Sequence, residues 1–460
     1  MKKLLCILLL FTTTFQVSSQ CWTAVSAGYS QILAIASDGT LWSWGLNRYG
    51  ELGIGSTTNS SIPVQVGIDT DWVAISAGQG PQTFNLAQKA NGTLWSWGRN
   101  NKGQLGDGTY IDKSFPIQVG LENDWISFSA GYGHALAVRA NGTCWSWGES
   151  NLFALGNTAG YGESFNRNLP AQVGTDTNWI KVSAGDAYSL AMKTTRAIWV
   201  WGSNSGNPLG MVTASGNIQF PTIRSSANNS GVKDVFAGGS HSFTIKLTNN
   251  LIVPFGSNVY GQSGGTACAG CPSYFAKNLE CGDDTTGLVK TDGTLWFSGK
   301  RLGYLTPTVS YESSFTQLGT NNNWNSISVG FSCAAAVNTS GQIYTWGWNN
   351  YGTLGNGTNG YNLSSESLVL VNCPSQLLAH NEFSVRTFDA YPNPVNNQLF
   401  IQNSKNKEIK SISIVDVSGK LLITFKSNFY SIDVSALQSG IYILLIEGEV
   451  FKEQIKFSKQ

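Results

Sequence analysis

Apolar residues along this chain come in short alternating runs closed by glycine, asparagine or aspartate, and none keeps the period of an amphipathic helix. One stretch shows the pattern. Trp72-Val73-Ala74-Ile75-Ser76 is β-rich and ends at Ala77-Gly78, and a second short strand leads to Asn91-Gly92. Leu94-Trp95-Ser96-Trp97 forms a third strand, Gly98–Gly106 a glycine-punctuated loop, and Pro116-Ile117-Gln118-Val119-Gly120 a fourth strand. Asn-Gly between apolar runs predicts a tight hairpin with both turn residues at positive φ.

The unit recurs. Asp38–Gly45 returns as Asn91–Gly98, Asn141–Gly148 and Asp292–Gly299, more loosely as Ser340–Gly347, and in eroded form before Gly202 and Gly256. The closing glycines 45, 98, 148, 202, 256, 299 and 347 lie 43 to 54 residues apart. Such a period marks an array of one supersecondary unit, and four short strands per unit is the content of a propeller blade. In Leu94-Trp95-Ser96-Trp97 neither face carries a charge, as expected of a strand sandwiched between neighbouring sheets.

Composition supports packed β-structure: 52 glycines, 16 tryptophans and 12% charged residues. A net charge of +1 provides no field for non-specific nucleic-acid binding. Residues 1–19 read as a signal peptide, with Lys2 and Lys3, an apolar Leu4–Phe11 core, and small residues at Val17-Ser18-Ser19. Gln20 before Cys21 argues against lipidation, and no later apolar run is long enough to span a bilayer.

The Ala-Gly strand, the alanine-rich strand, Trp-Ser-Trp-Gly and the Asn-x-x-Gly-x-Leu-Gly loops at Asn47–Gly53, Asn100–Gly106 and Asn349–Gly355 resemble the repeats of the regulator of chromosome condensation family. The resemblance implies a seven-bladed β-propeller over residues 20–375, least regular where Thr195-Arg196 and Asn249-Asn250 replace the Asn-Gly turn. The chain's first repeat begins at Cys21-Trp22, matching Asp71-Trp72, and the last ends at Leu368–Cys373, matching the strand Pro63–Gly67 and Ile68. Two expectations follow: Leu368–Val371 completes the first blade, and a Cys21–Cys373 disulfide replaces the missing peptide link. Among Cys268, Cys271 and Cys281 a local disulfide is expected over a zinc site, because no fourth ligand is apparent. Cys144 and Cys333 read as buried packing residues.

From about Leu378 tryptophan disappears and a new series of alternating strands begins. Its length and turns describe a small β-sandwich. Tyr391-Pro392-Asn393-Pro394, the segment around Asp416 and Gly419, Gly440 with Tyr442, and a terminal strand carrying Lys456 resemble the C-terminal sorting domain of the type IX secretion system of Bacteroidetes. The domain is placed at 389–460 behind a linker at 376–388. The resemblance implies a partner in that secretion machinery, and release or surface attachment after the domain is cut off near residues 375–388.

No nucleophile triad, His-Glu-x-x-His, phosphate loop or nucleotide fingerprint occurs. His134 and His241 share one repeat position and read as blade-capping residues. No cofactor, metal or catalytic residue is expected. The family's eukaryotic members act on a small GTPase and chromatin, out of reach of an exported chain. Its secreted bacterial members bind and inhibit an enzyme through loops on one face. The expectation is therefore a non-catalytic binding protein engaging an extracellular protein or glycan. Arg48, Tyr49, Arg99, Lys102, Phe153, Trp348 and Tyr351, in the loops after each Trp-Gly, are the candidate contacts, since aromatics and arginine anchor interfaces. An enzyme working in the central channel and a structural surface or matrix component are the alternatives.

Overall fold

In the computed structural model, residues 21–459 are described except 158–161, 163–164, 212–215, 225–230, 266–273, 303–309, 361–362, 375–387, 392–394, 404–406, 417–420, 428 and 449–451. The expected signal peptide, residues 376–387 of the expected linker, Cys268, Cys271, Pro392, Asn393, Pro394 and Gly419 fall outside the described residues, whereas Phe388, expected in the linker, opens a strand because its ring fills the second unit's core. The chain divides into two compact units, Met1–Leu378 and Ala379–Gln460.

Among the described residues, the first unit holds seven antiparallel sheets, six of four strands and one of three, each built from consecutive strands. The first sheet is Trp22–Ala27, Gln31–Ala36, Leu41–Gly45 and Ser60–Gln65. The inner strands of the next six are Trp72–Ala77, Trp125–Ala130, Trp179–Ala184, Val232–Ala237, Ala276–Cys281 and Trp324–Val329. Both faces of every sheet are covered, which is why the pattern carries no polar face. Leu33, Ile35 and Leu41 pack on Trp72, Ala87 and Trp97 of the second sheet. Trp22, Trp42 and Trp44 pack on Ala335, Val337 and Ile343 of the seventh, so the ring closes on itself.

The ring does not close by strand exchange. Ser364–Val371 pairs with Ile343–Trp348 and completes the last sheet, not the first, whose fourth strand is Ser60–Gln65. The physical reason is chain order. Leu368–Val371 is equivalent to Val64–Val66 of its own repeat, and that strand hydrogen-bonds to the Trp-Ser-Trp strand preceding it. Closure is lateral instead. Ala27 N donates to Ser328 Oγ at 2.9 Å, Trp22 N to the Gly341 carbonyl at 3.0 Å, and Trp44 Nε1 to the Thr353 carbonyl at 3.0 Å. The Cys21–Cys373 disulfide, with Cα atoms 6.1 Å apart, spans the place where a peptide links other neighbouring sheets. Cys144, Cys281 and Cys333 are buried free thiols, so Cys281 takes no part in a local disulfide.

The hairpin turns also differ from expectation. Gly39, Gly92, Gly142 and Gly293 have φ near +80°, but the Asp or Asn before each does not enter the left-handed region. Its side chain works instead: Asn91 Oδ1 accepts from Thr93 N at 3.1 Å and from Thr93 Oγ1 at 2.7 Å. Thr93 Oγ1 in turn accepts from Trp95 Nε1 at 2.9 Å. The turn is thus an Asx motif that also orients the first tryptophan. Where the repeat is eroded, Arg196 and Asn250 take the glycine's place at φ 62° and 58°.

Among the described residues, the second unit contains one sheet of three strands and one of four. Its core is Phe388, Leu399, Ile401, Ile412, Ile414, Leu444, Ile446 and Phe457. Tyr391 stacks on Phe400 at 5.9 Å. Asp416 pairs with Tyr442 across adjacent strands, and Tyr442 stacks on Phe457 at 5.8 Å while donating to the Gln438 carbonyl at 2.8 Å. Gly440 opens the strand that pairs with the one bearing Lys456.

Candidate functional site

The loop after each Trp-Gly is fixed from below. Asn47 Oδ1 accepts from Leu52 N at 2.9 Å, and Ser43 Oγ donates to the Leu52 carbonyl at 2.6 Å. The next sheet clamps the loop from the side, as Trp97 Nε1 donates to the Glu51 carbonyl at 2.8 Å. Trp147 reaches the Gln104 carbonyl and Trp201 the Ala154 carbonyl in the same way. In four motifs, at Trp44, Trp97, Trp147 and Trp201, the second tryptophan therefore binds adjacent sheets together and holds the neighbouring loop as a platform.

These loops share one face of the ring with the turns after the inner strands. Gln31 pairs with Gly45, and Leu46 N donates to the Ser30 carbonyl at 2.8 Å. Arg99 and Trp348 bond likewise to Thr83 and Ser332. The structure brings Arg48, Tyr49 and Arg99 together: their guanidinium carbons stand 5.3 and 4.3 Å from the Tyr49 ring centre. Tyr49 thereby covers the seam between the first two sheets while Arg48 stays exposed. Lys102 lies 4.0 Å from Glu149, and Phe153 is half-buried in a turn with its own φ at +68°. Trp348 and Tyr351 are exposed on the seventh sheet's loop.

At the centre of the same face sits a group that the sequence reading missed. Gln79 crosses the axis and donates from Nε2 to the carbonyls of Cys281 and Val329, at 3.0 and 3.1 Å. Tyr132 Oη donates to Asp283 Oδ1 at 3.3 Å, and Tyr29 stacks on Phe331 at 4.7 Å. Burial raises the carboxyl of Asp283, and burial together with Asp283 pushes Asp186 and Asp284 up to about 6. The signal was present in the repeat. Each of these residues except Asp284 directly follows the constant glycine that ends an inner strand, at a position that varies through Tyr29, Gln79, Tyr132, Asp186, Asp283 and Phe331.

His134 and His241 staple seams, as expected of capping residues. Their Nε2 atoms meet Ser189 Oγ at 3.0 Å and Thr286 Oγ1 at 2.8 Å on the next sheet. Burial pushes both imidazoles down to about 4, so they are neutral. Among the described residues no group of three His, Cys, Asp or Glu is placed to hold a metal ion, and no helix is long and apolar enough to cross a membrane.

Residues 38–80, 91–138, 141–192 and 340–388 match the Regulator of chromosome condensation (RCC1) repeat, and a second description of that repeat matches 22–51 and 125–153. Residues 389–460 match the Secretion system C-terminal sorting domain. The chain is 29% identical over 203 residues to the Ultraviolet-B receptor UVR8 of Arabidopsis thaliana, covering 43% of this chain and 45% of that protein. It is 30% identical over 238 residues to the mouse E3 ubiquitin-protein ligase HERC2, covering 49% of this chain and 5% of that one. The chain thus spans less than half the length of either relative. The structure of Prp20p from Saccharomyces cerevisiae superposes with a TM-score of 0.60 at 17% identity, covering 81% of this chain and 90% of that one; the likeness is one of fold.

Proposed function

We propose that this chain, which carries RCC1 repeats and a type IX sorting domain, is a binding protein held at the cell surface or released after export. It engages an extracellular protein or glycan through the face that bears the loops after each Trp-Gly. The observation that carries the reading is the platform itself. Loops whose backbone is clamped by Trp44, Trp97, Trp147 and Trp201 leave mainly side-chain entropy to lose on binding, and two of these loops present Arg48, Tyr49, Trp348 and Tyr351. The sorting domain supplies the second partner, the secretion machinery, and Tyr391, Asp416, Gly440, Tyr442 and Lys456 are its candidate contacts.

The reading as an enzyme draws on Asp186, Asp283 and Asp284, whose raised carboxyls border the axis. One experiment separates the two: immobilised full chain is exposed to a glycan array and to extracellular extract, and the same material is assayed for hydrolysis. Retention of a ligand without turnover supports binding. Turnover that is lost in Asp283→Asn without retained ligand replaces it with catalysis.

A further inference from the structure

The seven inner strands enclose a channel that is blind at one end. Gln79, bonded across the axis, and Tyr132, bonded to Asp283, stopper the loop-bearing face. From the other end opens a cavity of 440 Å³ lined by all seven inner strands. Its walls are mixed: Val25, Ile75 and Phe128 are half-buried at equivalent positions of three strands, among serines, Asn278, Asn325 and Lys181.

Beneath the stopper the lining changes character. A ring position is held by Ser26, Ser76, Ser129, Ser183 and Ser328, each accepting from the backbone N–H of the next sheet at 2.9 to 3.0 Å. The fifth sheet places Phe236 there and the sixth Glu280. The five hydroxyls and Glu280 also line a pocket of 30 Å³ that reaches Gln79, room for about one small polar group. The Glu280 carboxyl makes no hydrogen bond or ion pair among the described residues. The cation nearest in kind, Lys181, is held by Asp234 at 3.1 Å.

We propose that the blind channel binds a primary alkylammonium, its ammonium against Glu280 and the serine oxygens and its short aliphatic stem beside Val25, Ile75 and Phe128. An ammonium carries three donors. The floor offers one carboxyl and five hydroxyl oxygens, each hydroxyl with one lone pair left to accept a donor, and the carboxyl, once ionised, selects a cation over an anion. Two sources share this chemistry, a free polyamine and a lysine side chain of a peptide.

Proton accounting gives an independent readout. Burial pushes Glu280 up to about 8, helped by Asp234 and opposed by Lys181, and the neighbouring Cys281 thiol is neutral. At pH 7 the carboxyl is mostly protonated. Binding an ammonium ionises it, and its proton passes to solvent while the ammonium keeps its own.

The test is calorimetric titration of the full chain with 1,5-diaminopentane and, separately, with acetyl-Gly-Lys-Gly-amide, in buffers of different ionisation enthalpy at pH 7. Glu280→Ser, which installs the residue found at this position in five other sheets, and Glu280→Gln are run alongside. The expected result is saturable binding of at least one probe with net proton release, and at least tenfold weaker binding in both variants. Binding of the diamine alone assigns a free amine, and binding of the peptide assigns a lysine side chain. No binding to the wild type, equal affinity in the variants, or binding without proton release overturns the proposal.

Discussion

Trp97 lies directly against Gly53: a Cβ built on that glycine would fall 2.8 Å from the indole nitrogen. The same approach recurs between Gly106 and Trp147, Gly156 and Trp201, and Gly355 and Trp44. Each glycine also has positive φ, +70° at Gly53. Gly53→Ala therefore combines backbone strain with overpacking and should cost about 3 kcal/mol. Gly67→Ala is the control, since φ there is +65° but nothing lies within 4 Å of the added carbon. It should cost only about 1 kcal/mol. Denaturant midpoints measure both, and equal losses would show that the tryptophan contact contributes nothing.

The bond between Cys21 and Cys373 encloses 352 residues of sequence separation. The chain-entropy account assigns roughly 5–6 kcal/mol to so long a loop. Cys21→Ala/Cys373→Ala should lower the thermal midpoint strongly yet leave a folded ring, because the seam between the first and seventh sheets keeps its own hydrogen bonds and buried tryptophans. Unfolding melts with and without reductant check this. An unchanged midpoint would remove the disulfide from the account of closure.

His134 and His241 predict an acid-sensitive ring. Their folded pKa of about 4 lies below the unfolded value near 6.5, so the unfolded chain binds more protons between these limits. The stability they permit is present above pH 6.5 and is lost as pH falls toward 4, on the order of 3 kcal/mol for each imidazole. His134→Gln/His241→Gln, which installs the residue that Gln31 supplies in the first sheet, should flatten the pH dependence of unfolding free energy across that window. An unchanged slope would assign the acid sensitivity to other groups.

Arg196 occupies a left-handed position that glycine fills in five other repeats. Arg196→Gly should stabilise the fourth sheet by up to about 1 kcal/mol, read as a rise in denaturant midpoint. A fall would mean that the arginine side chain contributes more than its backbone costs.

The repeat makes the sheets, the two-sided burial and the pairing of Cys21 with Cys373 legible in the sequence. All follow from local periodicity and from matching one repeat onto another. The route of ring closure was misread because a strand's sequence says which repeat position it fills, not which neighbour it pairs with. Leu368–Val371 follows Trp346 as Val64–Val66 follows Trp44, and it pairs accordingly. The turn conformation was misread because the Asx side chain of Asn91, rather than a second positive φ, satisfies the backbone. The repeat marks the position that Gln79, Tyr132 and Asp283 share but not their meeting, because they come from three sheets and come together only across the ring. Glu280 was hidden differently: it is one polar residue replacing another, and only the channel makes it singular.

The central claim is that the loop-bearing face is the binding face. The direct measurement is ligand retention on immobilised full chain, comparing wild type with two triple variants. Tyr49→Ser/Arg99→Ser/Tyr351→Ser alters the loop face. Val73→Ser/Ile126→Ser/Lys277→Ser alters exposed positions near the opposite ends of the inner strands. The account predicts that the loop-face variant loses at least tenfold in affinity for the extracellular protein or glycan the wild type retains, while the other variant binds that ligand as wild type. Full retention by the loop-face variant, with loss in the other, would contradict it.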